Sequence, residues 1–211
     1  MSEDDLELPR EPASLAGDVE VESESDAPPV AELDAETRAR RDAALRLVRK
    51  FGDPVLRAKA VPVERFDAEL AEEAESMGRL MHDALGVGLA ATQLGILHRV
   101  LVYQAYAEEP VTVLVNPEIE WRSDELEPGE EGCLSLPGVH VEVERHTAVR
   151  VRAVDASGEE IEIDAEGLEA RVIQHEIDHL DGILVLDRIS KEARKEAMRG
   201  MREAQRAPSA A

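Results

Sequence analysis

Six consecutive residues, Gln174-His175-Glu176-Ile177-Asp178-His179, have the types and spacing for metal-assisted hydrolysis. On a helix, positions i and i+4 share a face, so His175 and His179 can both reach one metal ion. Glu176, next to the first imidazole, can act as general base on a water at that metal. Leu168, Val172 and Ile173 precede the motif. That apolar approach predicts a partly buried helix over 167–180 and argues against two incidental surface histidines. Two imidazoles leave a metal short of a third protein ligand. No histidine follows His179, although Asp181, Asp187 and Glu192 remain available. Upstream, Glu131-Gly132-Cys133-Leu134-Ser135 offers the single cysteine. A lone cysteine is commonly a small buried hydrophobe. Here it sits in a loop with Gly132, Pro137 and Gly138, a poor place for a filler residue.

A third cluster is Gly86-Val87-Gly88-Leu89-Ala90-Ala91-Thr92-Gln93. It lacks the Lys-Ser/Thr ending of a phosphate loop. Small residues such as Gly88 let a backbone approach a substrate closely. Gln93 adds an amide donor near that path, suited to an oxyanion.

The elements that must position these groups follow from periodicity. Helical spacing of Leu70, Ala74, Met77, Met81 and Ala84 predicts a helix over 67–85, and a shorter one is expected over 34–50. Strands are expected at 99–103, 111–115, 139–144, 149–154 and 161–163, the last two joined by Ala156-Ser157-Gly158. A final helix is expected over 191–206. Short adjacent strands followed by a buried helix point to an α+β fold: mainly antiparallel strands around a central helix carrying His-Glu-x-x-His. Residues 1–44 hold 14 acidic residues and 4 arginines, with no Phe, Trp, Tyr or Ile. Such a segment cannot offset its ordering entropy, so it is expected to be a disordered tail ahead of a domain at 45–190, followed by a C-terminal helix and short tail at 191–211.

The chain has 211 residues and a net charge of -23. That charge argues against a general binder of DNA or anionic membranes. No apolar run approaches a membrane span, and the acidic N-terminus lacks a signal pattern, so a cytoplasmic protein is expected. Charge reverses only near the C-terminus. There Arg188, Lys191, Arg194, Lys195, Arg199, Arg202 and Arg206 face three glutamates, and a contact with ribosomal RNA is expected.

Together the three clusters resemble the signature motifs of the peptide deformylases, complete and in order: 88–93, 131–135 and 174–180. Asp53-Pro54-Val55-Leu56-Arg57 also resembles that family's N-terminal segment, and the resemblance spans about residues 45–190. His140 stands where many relatives carry Arg or Tyr. The resemblance implies hydrolysis of the N-formyl group from the initiator methionine of nascent polypeptides. It implies one divalent metal on Cys133, His175 and His179, with Fe²⁺ favoured and Zn²⁺, Ni²⁺ or Co²⁺ compatible with that ligand set. Glu176 is then the proton carrier, and Gln93 and the Leu134 N–H steady the oxyanion. Val87, Leu168, Val172 and His175 would surround the methionine side chain, with Arg171 at the pocket mouth. Gly88 and Gly132 would confine the formyl group, and the backbones of Val87 and Gly132 would pair with the peptide. His82, His98, His140 and His146 are expected to be surface or structural residues. Two competing readings are a zinc endopeptidase with a ligand after His179 and a non-catalytic ribosome-docking protein.

Overall fold

The computed structural model describes residues 33–206. Four α-helices and seven strands occur in the order α1 (Ala35–Leu47), α2 (Ala68–Asp83), β1 (Gly88–Ala90), β2 (Val100–Tyr103), β3 (Thr112–Arg122), β4 (Leu126–Gly132), β5 (His140–His146), β6 (Ala148–Val154), β7 (Glu160–Glu166), α3 (Gly167–Leu180) and α4 (Lys191–Arg206). All strand pairings between these elements are antiparallel. β1-β2-β3-β6-β7 form one sheet, and β4-β5 form a separate two-stranded sheet. This is the expected α+β arrangement.

The large sheet is covered on both faces, and β2 shows why. All four of its residues are buried. Leu101 and Tyr103 join a cluster with Ala170, Ile173, Ile177 and Leu180 of α3. Val100 and Val102 point the other way, into a cluster with Leu70, Met77 and Met81 of α2. Successive side chains alternate across a strand, so a continuous apolar run fits only a strand buried on both sides. A third cluster joins Val143 of β5, Leu136, Leu186 and the α4 residues Ala197, Met198 and Met201. No helix among the described residues is long and apolar enough to cross a membrane.

Helix starts are local in origin. The carboxylates of Asp34 and Asp67 accept from the backbone N–H groups of Thr37 and Leu70 and cap α1 and α2. Most of the expected N-terminal tail lies outside the described residues, while 35–44 lie in α1.

Three strands depart from the sequence reading, among them β1, whose three residues are too few to show a period. The strand expected to end at Val115 continues to Arg122, past Pro117. Asn116 takes a left-handed backbone (φ 54) there, and the β3–β6 register shifts between Val115 and Glu118. A bulge at this point lets the strand absorb a proline, which cannot donate to a ladder. β4 is likewise absent from the expected strands. Pro128 and Gly129 interrupt it, and Leu126 is its only large apolar residue, so no period-two signal exists.

Asn116 also ties the bulge to the segment before α2. Its Oδ1 accepts from the Val63 N–H, and its Nδ2 donates to the Val63 carbonyl, both at 2.8 Å. Asn116→Ala should lower unfolding free energy by about 2–3 kcal/mol, from two lost hydrogen bonds and a left-handed alanine. Urea denaturation checks this; a loss below about 0.5 kcal/mol would contradict it.

Candidate functional site

Helix α3 carries the site because its inward face is set by sequence. From Val172 to Leu180 every residue is buried, including Gln174, His175, Glu176, Asp178 and His179. Polar groups at such depth need partners. The 131–135 loop meets this helix at the end of β4. Cys133 Sγ lies 3.2 Å from His179 Nε2, and the two imidazole centroids are 4.9 Å apart. Cys133, His175 and His179 each bring one ligand atom, all within 4.8 Å of one another. Among the described residues this is the only such group. The sequence alternatives are engaged elsewhere: Asp181 with Arg99, Asp187 with Arg57 and Arg194.

The donor set fits a divalent metal. It offers one sulfur and two imidazole nitrogens, as open hydrolytic sites do. The other nitrogen of His175, Nδ1, contacts Glu131 Oε2 at 2.9 Å, which turns Nε2 toward the cluster. Burial would raise the Cys133 thiol, but the His179 charge and hydrogen bonds from His175 and His179 hold it well below its ordinary value. The thiolate is the form that ligates metals.

Glu176 stands apart from the three ligands. Its Oε2 is buried with no hydrogen-bond partner. Burial raises its pKa, against the pull of His175 and His179. It lies against β1 at Gly88, where an added Cβ would come within 2.5 Å of Oε1. Only glycine leaves room for this carboxylate.

Gln93 is also buried. Its Oε1 accepts from the Ala90 N–H at 2.9 Å, which turns Nε2 toward Ser135 Oγ (3.2 Å) and Cys133 Sγ (3.8 Å). The Leu134 N–H follows Cys133 directly and has no acceptor among the described residues. Thus Gln93, Leu134 and Glu176 gather around the Cys-His-His cluster. Of the expected pocket residues, Val87 and Leu168 are exposed, while Val172 packs into the core with Ile173 and Ile177. β1 is an outer strand of the large sheet, and the small sheet leaves β4 one unpaired edge.

Arg171 lies across β4. Its guanidinium donates to the Glu131 carboxylate (3.1 Å) and to the carbonyls of Val143 and Glu127 (both 2.8 Å). A Cβ on Gly129 would collide with it at 2.7 Å. Arg145, unassigned in the sequence reading, grips both Glu131 oxygens at 2.9 Å and donates to Asp178 Oδ2 at 2.6 Å. Arg188 holds Asp178 from the other side. Burial would raise the Glu131 carboxyl, yet Arg145 and His175 bring it down to about 2. A signal for Arg145 existed: it occupies the inward phase shared by Val141 and Val143. The remaining histidines bond outside the cluster: His82 to Gln104, His98 to Glu73, His140 to Glu130 and His146 to the Ser123 carbonyl.

Arg145→Met strands two buried carboxylates. It should cost about 3–5 kcal/mol of stability, as breaking one side of a buried pair does. Thermal and urea unfolding of the variant check this, and wild-type stability would contradict the network.

Comparison with known proteins places this geometry. Residues 45–195 match the family model described as polypeptide deformylase. A peptide deformylase of Thermotoga neapolitana is 51% identical over 142 residues, covering 67% of this chain and 85% of that protein. One from Parafrankia is 43% identical over 162 residues, covering 77% and 88%. The crystal structure of a peptide deformylase from Synechococcus elongatus, in complex with actinonin, superposes with TM-score 0.69 at 42% identity, covering 72% of this chain and 85% of that one. That from Thermotoga maritima gives 0.66 at 46%, covering 68% and 96%. With its three motifs converging on one buried Cys-His-His cluster, this chain belongs to the polypeptide deformylase family.

Proposed function

We propose that the chain removes the N-formyl group from the initiator methionine of nascent polypeptides, releasing formate. The observation that carries this reading is a buried, unpartnered Glu176 carboxylate beside three convergent ligand atoms. Cys133, His175 and His179 would hold one divalent metal, Fe²⁺ in the native protein. Such a metal would supply acidity to a bound water and polarisation of the formyl carbonyl. Glu176 takes a proton from the attacking water at Oε2. As the C–N bond breaks, it delivers that proton to the leaving nitrogen, giving formate and a free amino terminus. Burial raises its pKa, which favours its taking up a proton before passing it on. The Gln93 amide and the Leu134 N–H donate to the developing oxyanion.

The substrate backbone adds a short strand at the Val87 and Gly132 edges. Gly88 and Gly132 keep the formyl position narrow, and Val87, Leu168 and Val172 receive the methionine side chain. The exposure of Val87 (46%) and Leu168 (45%) supports this, since large apolar side chains left open to solvent suit an apolar ligand. Such work on nascent chains belongs in the cytoplasm.

Formate release from a formyl-Met dipeptide tests the reading. Glu176→Ala should retain the metal and lose about 10²–10⁴ in turnover. No formate from metal-loaded wild type, or a fast Glu176→Ala, would overturn it.

We further propose that α4 meets ribosomal RNA. Its apolar side packs on the core through Ala197, Met198 and Met201. Arg188, Arg194 and Arg199 are spent on Asp178, Asp187 and Glu196. Lys191, Lys195 and Arg202 are exposed and carry the contact. Reversing these three to Glu should weaken ribosome co-sedimentation and its salt dependence while sparing dipeptide turnover. Equal sedimentation at low salt would rule this out.

A further inference from the structure

The segment after α1 touches both halves of the proposed oxyanion site. The Arg49 N–H donates to the Gln93 carbonyl at 2.6 Å, and the Phe51 N–H donates to the Ser135 carbonyl at 2.9 Å. Between them, Lys50 Nζ donates to the Leu134 carbonyl at 3.0 Å. Three consecutive residues thus clip the Gln93 turn to the Cys133 loop.

Accounting for the loop carbonyls singles out Lys50. Cys133 O receives the Leu136 N–H, Ser135 O receives Phe51, and Leu136 O receives the Val139 N–H. The Leu134 carbonyl has Lys50 as its donor, through a half-buried side chain reaching across 84 positions of sequence. A charge-assisted bond of this kind is stronger and more directional than a neutral one. On its other side Leu134 is confined by the turn between α2 and β1, where an added Cβ on Gly86 would lie 3.0 Å from Leu134 Cδ1. Leu134 is therefore held by its carbonyl and by its side chain, and its N–H is left unspent.

We infer that Lys50 is a positioning residue: its ammonium fixes the Leu134 carbonyl and so aims the Leu134 N–H at the reacting oxygen. The inference rests on the deformylase reading for its catalytic consequence and on the geometry alone for the anchor. Losing an oxyanion donor outright costs about 10²–10³ in rate, so loosening one should cost about tenfold.

The test uses full-length, metal-loaded wild type, Lys50→Met and Lys50→Arg. Formate release from a formyl-Met peptide is measured together with hydrogen exchange at the Leu136 amide. Lys50→Met should lose about tenfold in kcat with KM within about twofold, at unchanged metal content. Its Leu136 amide should exchange about tenfold faster, because the turn closed on Cys133 O loses its neighbour's anchor. Lys50→Arg should recover most of both. Unchanged kcat in Lys50→Met, a defect carried in KM, or no rescue by arginine overturns the inference. If wild type releases no formate, the deformylase reading fails separately, and exchange in Lys50→Met still decides the anchor: faster exchange rescued by arginine upholds it, unchanged exchange ends it.

Discussion

A carboxylate taken out of water must be matched by charge and hydrogen bonds, and Glu131 is the place where this chain meets that requirement. Both of its oxygens are occupied: Arg145 grips the two together, Arg171 adds to one and His175 to the other. These partners come from β5 and α3, while Glu131 itself lies in β4. One side chain therefore pins the small sheet against the helix that bears the imidazoles. It also settles which nitrogen of His175 faces the cysteine. The network continues through Arg145 to Asp178 and on to Arg188, at the root of α4. Arg145 is the shared member: without it Glu131 and Asp178 both lose a buried guanidinium.

The second constraint is closeness. Glu176 rests on Gly88 with no room for a methyl group, and Thr92 Oγ1 donates to the His179 carbonyl at 3.1 Å. β1 and the turn after it thus lie directly on the part of α3 that bears Glu176 and His179. Small residues there are required by the distance between strand and helix. The same approach brings the Gln93 amide within reach of the Cys133 loop, which the 49–51 segment then fastens. Rigid elements surround each reacting group, as a preorganised site demands.

The charged residues of α4 show how tertiary pairing thins a composition signal. Seven basic residues stand in the 188–206 stretch, yet Arg188 and Arg194 are consumed by internal ion pairs, and Arg199 by a neighbouring glutamate. What remains for an external anion is smaller and lies on one side. Arg171 is likewise engaged within the fold, since a buried carboxylate claims a nearby guanidinium before solvent does.

What could be read without the fold was local. The i and i+4 placement of His175 and His179, the burial of their helix and the hairpin of β6 and β7 all arise from periodicity within a few residues. The motif order pointed to the family, and the comparisons agree. The strand β4 was unreadable, because Pro128 and Gly129 erase its alternation and its pairing comes entirely from β5. The continuation of β3 past Pro117 depended on a left-handed Asn116 bonded to Val63, a partner distant in sequence. The choice of Cys133 over Asp181 or Asp187 was likewise open by spacing alone. The fold brings a loop far upstream against α3, so Cys133 sits beside the two imidazoles, while Arg99 and Arg57 occupy the carboxylates. Lys50 and Arg145 carry no signature of their own, since a cation's role is set by which carbonyl or carboxylate the tertiary structure places beside it. Local periodicity encodes which face of an element is buried; only packing between distant segments decides what that face meets.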